Sequence, residues 1–117
     1  MKPQTPCAAI ALVLVLAALS ACTVTKAPAA RVDCGTPGPH GVECTVRRTA
    51  GTVGMQACWD LVIDCRNKGQ MSASACHTLP ANADQGTQTL PVADFSNSDK
   101  CDVPVFGHVE RLKVAVQ

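Results

Sequence analysis

Eight cysteines stand in this 117-residue chain, and six of them, Cys34, Cys44, Cys58, Cys65, Cys76 and Cys101, punctuate the stretch after residue 33. The same stretch holds every aromatic residue, Trp59, Phe95 and Phe106, with no tyrosine at all. A core so poor in aromatic surface is small, and covalent cross-links are the usual supplement. An even set of cysteines in such a domain reads as a disulfide framework, each bridge contributing roughly 2 to 4 kcal/mol by restricting the unfolded chain. Zinc is usually held by closely paired ligands, whereas the shortest gap here separates Cys58 from Cys65. One small domain excludes a multidomain enzyme. Ten Lys and Arg against nine Asp and Glu leave +1, so there is no basic excess to collect phosphates and no nucleic-acid partner is expected.

The first residues read MKPQTPC, then AAIALVLVLAAL, then SAC. A positive start, an apolar run and small residues before a cysteine form the layout of an export signal. From Ala8 to Ala21 the run is 14 residues. As a helix it reaches roughly 21 Å, short of the ~30 Å hydrocarbon thickness, so it does not make a stable transmembrane anchor.

At Leu19, Ser20, Ala21 and Cys22 the chain resembles bacterial lipoproteins, whose processing motif is an aliphatic residue, two small residues and the cysteine that is modified. The resemblance implies a diacylglyceryl group on the Cys22 thiol, cleavage between Ala21 and Cys22, and acylation of the new amine. Each buried methylene adds about 0.8 kcal/mol, so two or three acyl chains hold a protein durably. Residues 1–21 are then a cleaved signal peptide and Cys22 the membrane attachment. Thr23 in place of an acidic residue resembles the outer-membrane type, which gives a bacterial envelope protein facing the periplasm. Residues 22–33, with their alanines and Pro28 and without periodicity, are predicted to be a flexible tether. Residues 34–117 are predicted to be the folded domain.

Beyond Cys34 the period is two. Val42, Cys44 and Val46 alternate with Glu43, Thr45 and Arg47, as in a half-buried strand. Trp59, Leu61, Ile63 and Cys65 share one face of a second strand, with Cys58, Asp60, Val62 and Asp64 on the other. Asn67, Lys68 and Gly69 make a turn in which Gly69 takes a positive φ, and MSASACHTL returns as a strand, a short helix being the competitor. ANADQGTQ reads as a polar loop, TLPVADF as an edge strand, and KCDVPVF and HVERLKVAV as two closing strands. Six strands with turn signals between them predict an all-β fold, a small disulfide-stapled antiparallel β-sandwich, with a small barrel as the alternative. The order Cys44, Trp59, Cys101 resembles immunoglobulin-like domains in its spacing, although Asp99 stands where their tyrosine is expected.

Along one extended strand Cys58 and Cys65 lie roughly 23 Å apart, against a Cα limit near 7 Å for a bridge, so they take different partners. Antiparallel return after the turn sets Cys58 near Cys76, the leading pair. Cys34 with Cys44 competes against longer links involving Cys101.

Candidate chemistry is sparse. Asp60 and Asp64 are roughly 13 Å apart along a strand, beyond the ~5 to 9.5 Å of glycosidase carboxyl pairs, and read as a solvated face. No G-x-S-x-G, H-E-x-x-H or phosphate-cradling motif is present. His40, His77 and His108 could hold a metal only if the fold brings them together, and Asp94, Ser96, Asn97, Asp99 and Asp102 resemble a calcium loop without its central glycine and final glutamate. No catalytic residue, metal or cofactor is therefore assigned. Arg47, Arg48 and Arg66 are placed beside the Asp60 and Asp64 face, a mixed charged surface suited to a protein or a polysaccharide. The expected function is a non-enzymatic, lipid-anchored binding or structural module of the envelope. The alternative is a small inhibitor of a wall hydrolase or protease projecting the loop CGTPGPHG or PANADQGTQ, and a metal carrier or enzyme comes third.

Overall fold

Met55, Ala57, Trp59, Leu61, Ile63 and Cys65 alternate strictly with Gln56, Cys58, Asp60, Val62 and Asp64, so this segment keeps one side dry only as an extended strand. It is the central strand of a sheet. The computed structural model describes residues 26–117; Leu19, Ser20, Ala21 and Cys22, with the processing and lipid attachment expected there, lie outside the described residues.

Six strands form two antiparallel sheets. They are β1 (Ala29–Cys34), β2 (Val42–Ala50), β3 (Met55–Cys65), β4 (Gln70–Leu79), β5 (Gln85–Leu90) and β6 (Pro104–Val116). One sheet has the order β1-β2-β5 and the other β4-β3-β6. They pack face to face, with β1 beside β6 and β4 beside β5. The molecule is an all-β sandwich, compatible with an immunoglobulin-like arrangement, and not a closed barrel. Between the sheets lie Val32, Val42, Cys44 and Val46 from one side and Met55, Trp59, Leu61 and Ile63 from the other, all buried.

The predicted tether ends early, because Ala29–Cys34 pairs with β2 as strand β1 and Val32 reaches the core. The polar loop after Leu79 is partly strand, because Gln85–Leu90 pairs with Val42–Arg47. The expected strand through Pro91 is instead a 3-10 turn at Val92–Asp94, since proline has no N–H to continue the ladder. The two closing strands are one, running through Gly107. At the β3–β4 turn it is Lys68, φ 76°, that takes the left-handed conformation. Gly69 is needed for another reason, because a Cβ there would strike the Lys100 carbonyl.

Three disulfides join Cys34 to Cys44, Cys58 to Cys76 and Cys65 to Cys101. Cys44 and Cys101, which resemble the immunoglobulin pattern in spacing, are thus not bridged to each other. Cys34 and Cys44 are opposed residues of β1 and β2, and Cys58 and Cys76 of β3 and β4. The third bridge ties the end of β3 to the segment that leads into β6. None of the three described bridges joins one sheet to the other, so the sheets are held together by apolar burial and the disulfides stiffen each sheet.

The two ends of the sandwich differ. At one end Arg48 clamps two loops through its guanidinium, with Nε donating to the Ala83 carbonyl at 2.8 Å, Nη1 to Val53 at 2.8 Å and Nη2 to Pro80 at 3.0 Å. Pro28, through which the chain enters β1, lies against Gly51 at this end, and the Gln117 N–H donates to Gly54 there. The opposite end carries the 35–41, 66–69 and 91–103 loops.

Candidate functional site

Four of the five exposed large hydrophobic residues, Val92, Val103, Val105 and Phe106, gather at the end opposite Pro28, with Phe106 60% exposed. Of these, Val92 lines a cleft of about 170 Å³ together with Pro37, Val42, Met71, Phe95 and Pro104; Phe106, opposite Asp64, faces the outer side of the β4-β3-β6 sheet and stacks on His108. Small-molecule and cofactor sites usually run to ~300–1,000 Å³, so this cleft is sized for one inserted side chain.

The loops around the cleft are built from short-range chemistry. Cys34–Cys44 closes the base of the 35–41 loop, where Gly38 and Gly41 exchange backbone hydrogen bonds at 2.9 and 3.1 Å. The 91–103 segment crosses from one sheet to the other through two 3-10 turns, Val92–Asp94 and Ser98–Lys100. Between them Phe95 is buried, and the Ser96 N–H donates to the Ser72 carbonyl at 2.8 Å. Asp102 pins the far end, accepting from the Val103 N–H at 2.6 Å, the Asn67 N–H at 2.9 Å and Arg66 Nε at 3.2 Å. Partial desolvation works to raise the Asp102 pKa, but the two backbone N–H groups and Arg66 outweigh it and hold the carboxyl below its ordinary range.

The charged face predicted around Asp60 and Asp64 exists on the outer side of the β4-β3-β6 sheet, with different partners. Arg47 and Arg48 belong to the other sheet, where Arg47 donates to Gln85 at 2.9 Å, and Arg66 is taken by Asp102. Asp60 instead accepts from Ser74 Oγ and Arg111 Nε, each at 2.6 Å, and Asp64 accepts from Gln70 at 2.7 Å. Arg111 reaches Asp60 because β6 bulges: Arg111 and Leu112 together oppose the single residue Trp59. Arg111 has a φ of 52°. Only the charge pattern could have hinted at this pair, since alternation carries no mark of a bulge at a non-glycine residue.

Ser74 and Arg111 hydrogen bonds lower the Asp60 pKa, and Asp60 in turn raises that of Arg111. A carboxyl with a depressed folded pKa adds stability above its unfolded value and loses it as pH falls through the folded value. Asp60 and Asp102 both behave this way. Acidification below about pH 4 is therefore expected to lower the urea midpoint, and Asp60→Asn is expected to flatten that slope. A slope unchanged in the variant would count against this account.

The histidines serve three separate places. His40 is exposed in the 35–41 loop. His77 lies between the sheets at the β4–β5 edge, where its Nδ1 meets Gln88 Oε1 at 3.0 Å and its ring fills the space a side chain on Gly86 would need. On β6, His108 Nε2 lies 2.7 Å from Glu110 Oε2. Among the described residues no group of three His, Cys, Asp or Glu side chains is placed to hold a metal ion, so neither the three histidines nor the Asp94–Asp102 segment forms such a site. Compared with known proteins, the chain matches no family model, no curated protein and no solved structure.

Proposed function

We propose that this chain is a lipid-anchored protein of the bacterial cell envelope whose β domain is a non-enzymatic binding module, docking a protein partner at the cleft end. Attachment through Cys22 rests on the motif Leu19, Ser20, Ala21, Cys22. The observation that carries the binding reading is the apolar cleft, walled by exposed Val92 with Pro37, Phe95 and Pro104, at the end of the sandwich where Val103 and Val105 are also exposed. An apolar pocket that accepts one side chain, surrounded by apolar contacts that exclude water, is the usual anatomy of an interface hot spot. A polysaccharide would instead call for exposed aromatic platforms and hydrogen-bonding side chains, and this rim offers chiefly aliphatic ones. The tether leaves from the other end, so an anchor at Cys22 does not obstruct the cleft.

A second reading, inhibition of a wall hydrolase or protease, is supported by the 35–41 loop, which is braced by Cys34–Cys44 and reaches the cleft rim. Its companion candidate, residues 80–88, is poorly suited to project, because Arg48 holds Pro80 and Ala83 and β5 takes the rest.

The test places a photo-reactive residue at Pro37 or Ser98, both in the cleft wall, of the full-length chain in its native membranes. One discrete protein adduct is expected from these positions and none from Thr78 on the far edge strand. Val92→Asp is expected to reduce the adduct roughly 30-fold, the loss of an interface hot spot. Equal labelling from all three positions would refute the reading. Release of the Cys22→Ser protein from the membrane fraction checks the anchor separately.

A further inference from the structure

β6 is the longest strand, 13 residues, and among the described residues only β3 pairs with it. Its other edge therefore presents a row of backbone N–H and C=O groups that no other described strand pairs. Val109, Leu112 and Val114 on its core side are only partly buried, and Val116 is 61% exposed. Proteins commonly protect such an edge with a proline, a lysine or a bulge. Here Pro104 stands only at the first position, and the bulge and Lys113 fall into a pattern that matches itself.

We propose that β6 pairs antiparallel with β6 of a second copy of this chain, across a two-fold axis between Arg111 and Leu112. The bulge shifts the facing of the strand by one residue. Before it His108 and Glu110 face outward, opposite Val62 and Asp60; after it Lys113 and Ala115 do, opposite Cys58 and Gln56. Two antiparallel copies that pair along the whole strand keep outward residues with outward residues when the segment before one bulge meets the segment after the other. With the axis on the bulge, Glu110 meets the partner's Lys113, and the symmetry repeats that ion pair. Val109 meets the partner's Val114, and Gly107, which has no side chain, meets the partner's exposed Val116. Moving the axis one residue toward the start of the strand sets Lys113 against the partner's His108 and removes both ion pairs.

The product is one continuous six-stranded sheet, closing the edge that each copy leaves open. The two-fold axis is normal to the strands, so the two clefts lie at opposite ends of the pair and both stay free. This inference is independent of what the cleft binds.

The test uses the full-length protein in membranes, prepared in light and heavy-nitrogen forms, mixed after detergent extraction and treated with a carbodiimide that joins a carboxylate to a nearby amine. A cross-link between Glu110 and Lys113 of mixed isotopic mass is expected. Lys113→Glu is expected to weaken dimerisation about tenfold or more by setting like charges together twice, and Glu110→Lys combined with Lys113→Glu is expected to restore it. If Lys113→Glu alone unfolds, as circular dichroism would show, Glu110→Lys makes the same test. No mixed-mass cross-link, a dimer indifferent to the single exchanges, or a double exchange that fails to rescue would each overturn the proposal.

Discussion

Trp59→Ala is expected to be among the most destabilising single substitutions in this domain, at roughly 3 to 5 kcal/mol. Trp59 is 2% exposed in the middle of the central strand and supplies the largest side chain of the core. No described disulfide connects the sheets, so a cavity here weakens the apolar contact that chiefly holds them together. The indole adds a second expectation. Its Nε1 is buried without a hydrogen-bond partner among the described residues. An unmet buried donor costs about 1 to 3 kcal/mol. Trp59→Phe removes that donor along with part of the ring, so its two effects oppose each other and the loss is expected to stay under about 1.5 kcal/mol. Guanidinium unfolding followed by circular dichroism measures both variants, since the protein has no other tryptophan to report by fluorescence. A phenylalanine variant as damaged as the alanine one would mean that Nε1 is hydrogen-bonded in solution.

The same physics explains how much of the fold could be read from residues alone. β2, β3 and β4 carry apolar side chains at alternate positions toward one core, and that alternation is a direct image of burial. β5 has no such image. Its sequence QGTQTL turns Gly86 and Gln88 inward because the neighbouring His77 already fills that edge, so a true strand looks like a polar loop. β1 hides for a related reason: of AARVDC only Val32 is fully buried, and one apolar residue makes no pattern. The two charged residues Glu110 and Arg111, adjacent and both polar, mark the β6 bulge only once the register with β3 is known. The candidate site was harder still. Val92, Phe95 and Cys101 come from in and beside the two 3-10 turns and Pro104 from a strand end, and only the crossing from β5 to β6 brings them beside Pro37 and Met71. Of its loops, the 35–41 loop alone was legible, because its glycines and prolines announce a loop wherever it lands, while Val42 and Met71 come from strands that alternation already marks.

Removing the Cys65–Cys101 bridge by Cys65→Ala with Cys101→Ala is expected to cost about 4 kcal/mol, the most of the three. Loop-closure entropy grows with the chain enclosed, and this bridge spans 36 residues where Cys58–Cys76 spans 18 and Cys34–Cys44 spans 10. The corresponding losses are about 3 kcal/mol for each shorter bridge. The local consequence separates them further. Cys34–Cys44 and Cys58–Cys76 lie across strands that hydrogen bonds already hold in register, so their loss leaves the ladder in place. Cys101 is anchored to no ladder. Without its bridge the 91–103 segment depends on Ser96 against Ser72, on Asp102 and on the buried ring of Phe95. Hydrogen exchange is therefore expected to quicken across 91–103 in the double variant while β3 amides stay protected, and the adduct formed from Ser98 in the cleft wall is expected to fall with it. If exchange instead quickens evenly through β1 to β6, the bridge acts on the whole sandwich and the cleft has no separate dependence on it.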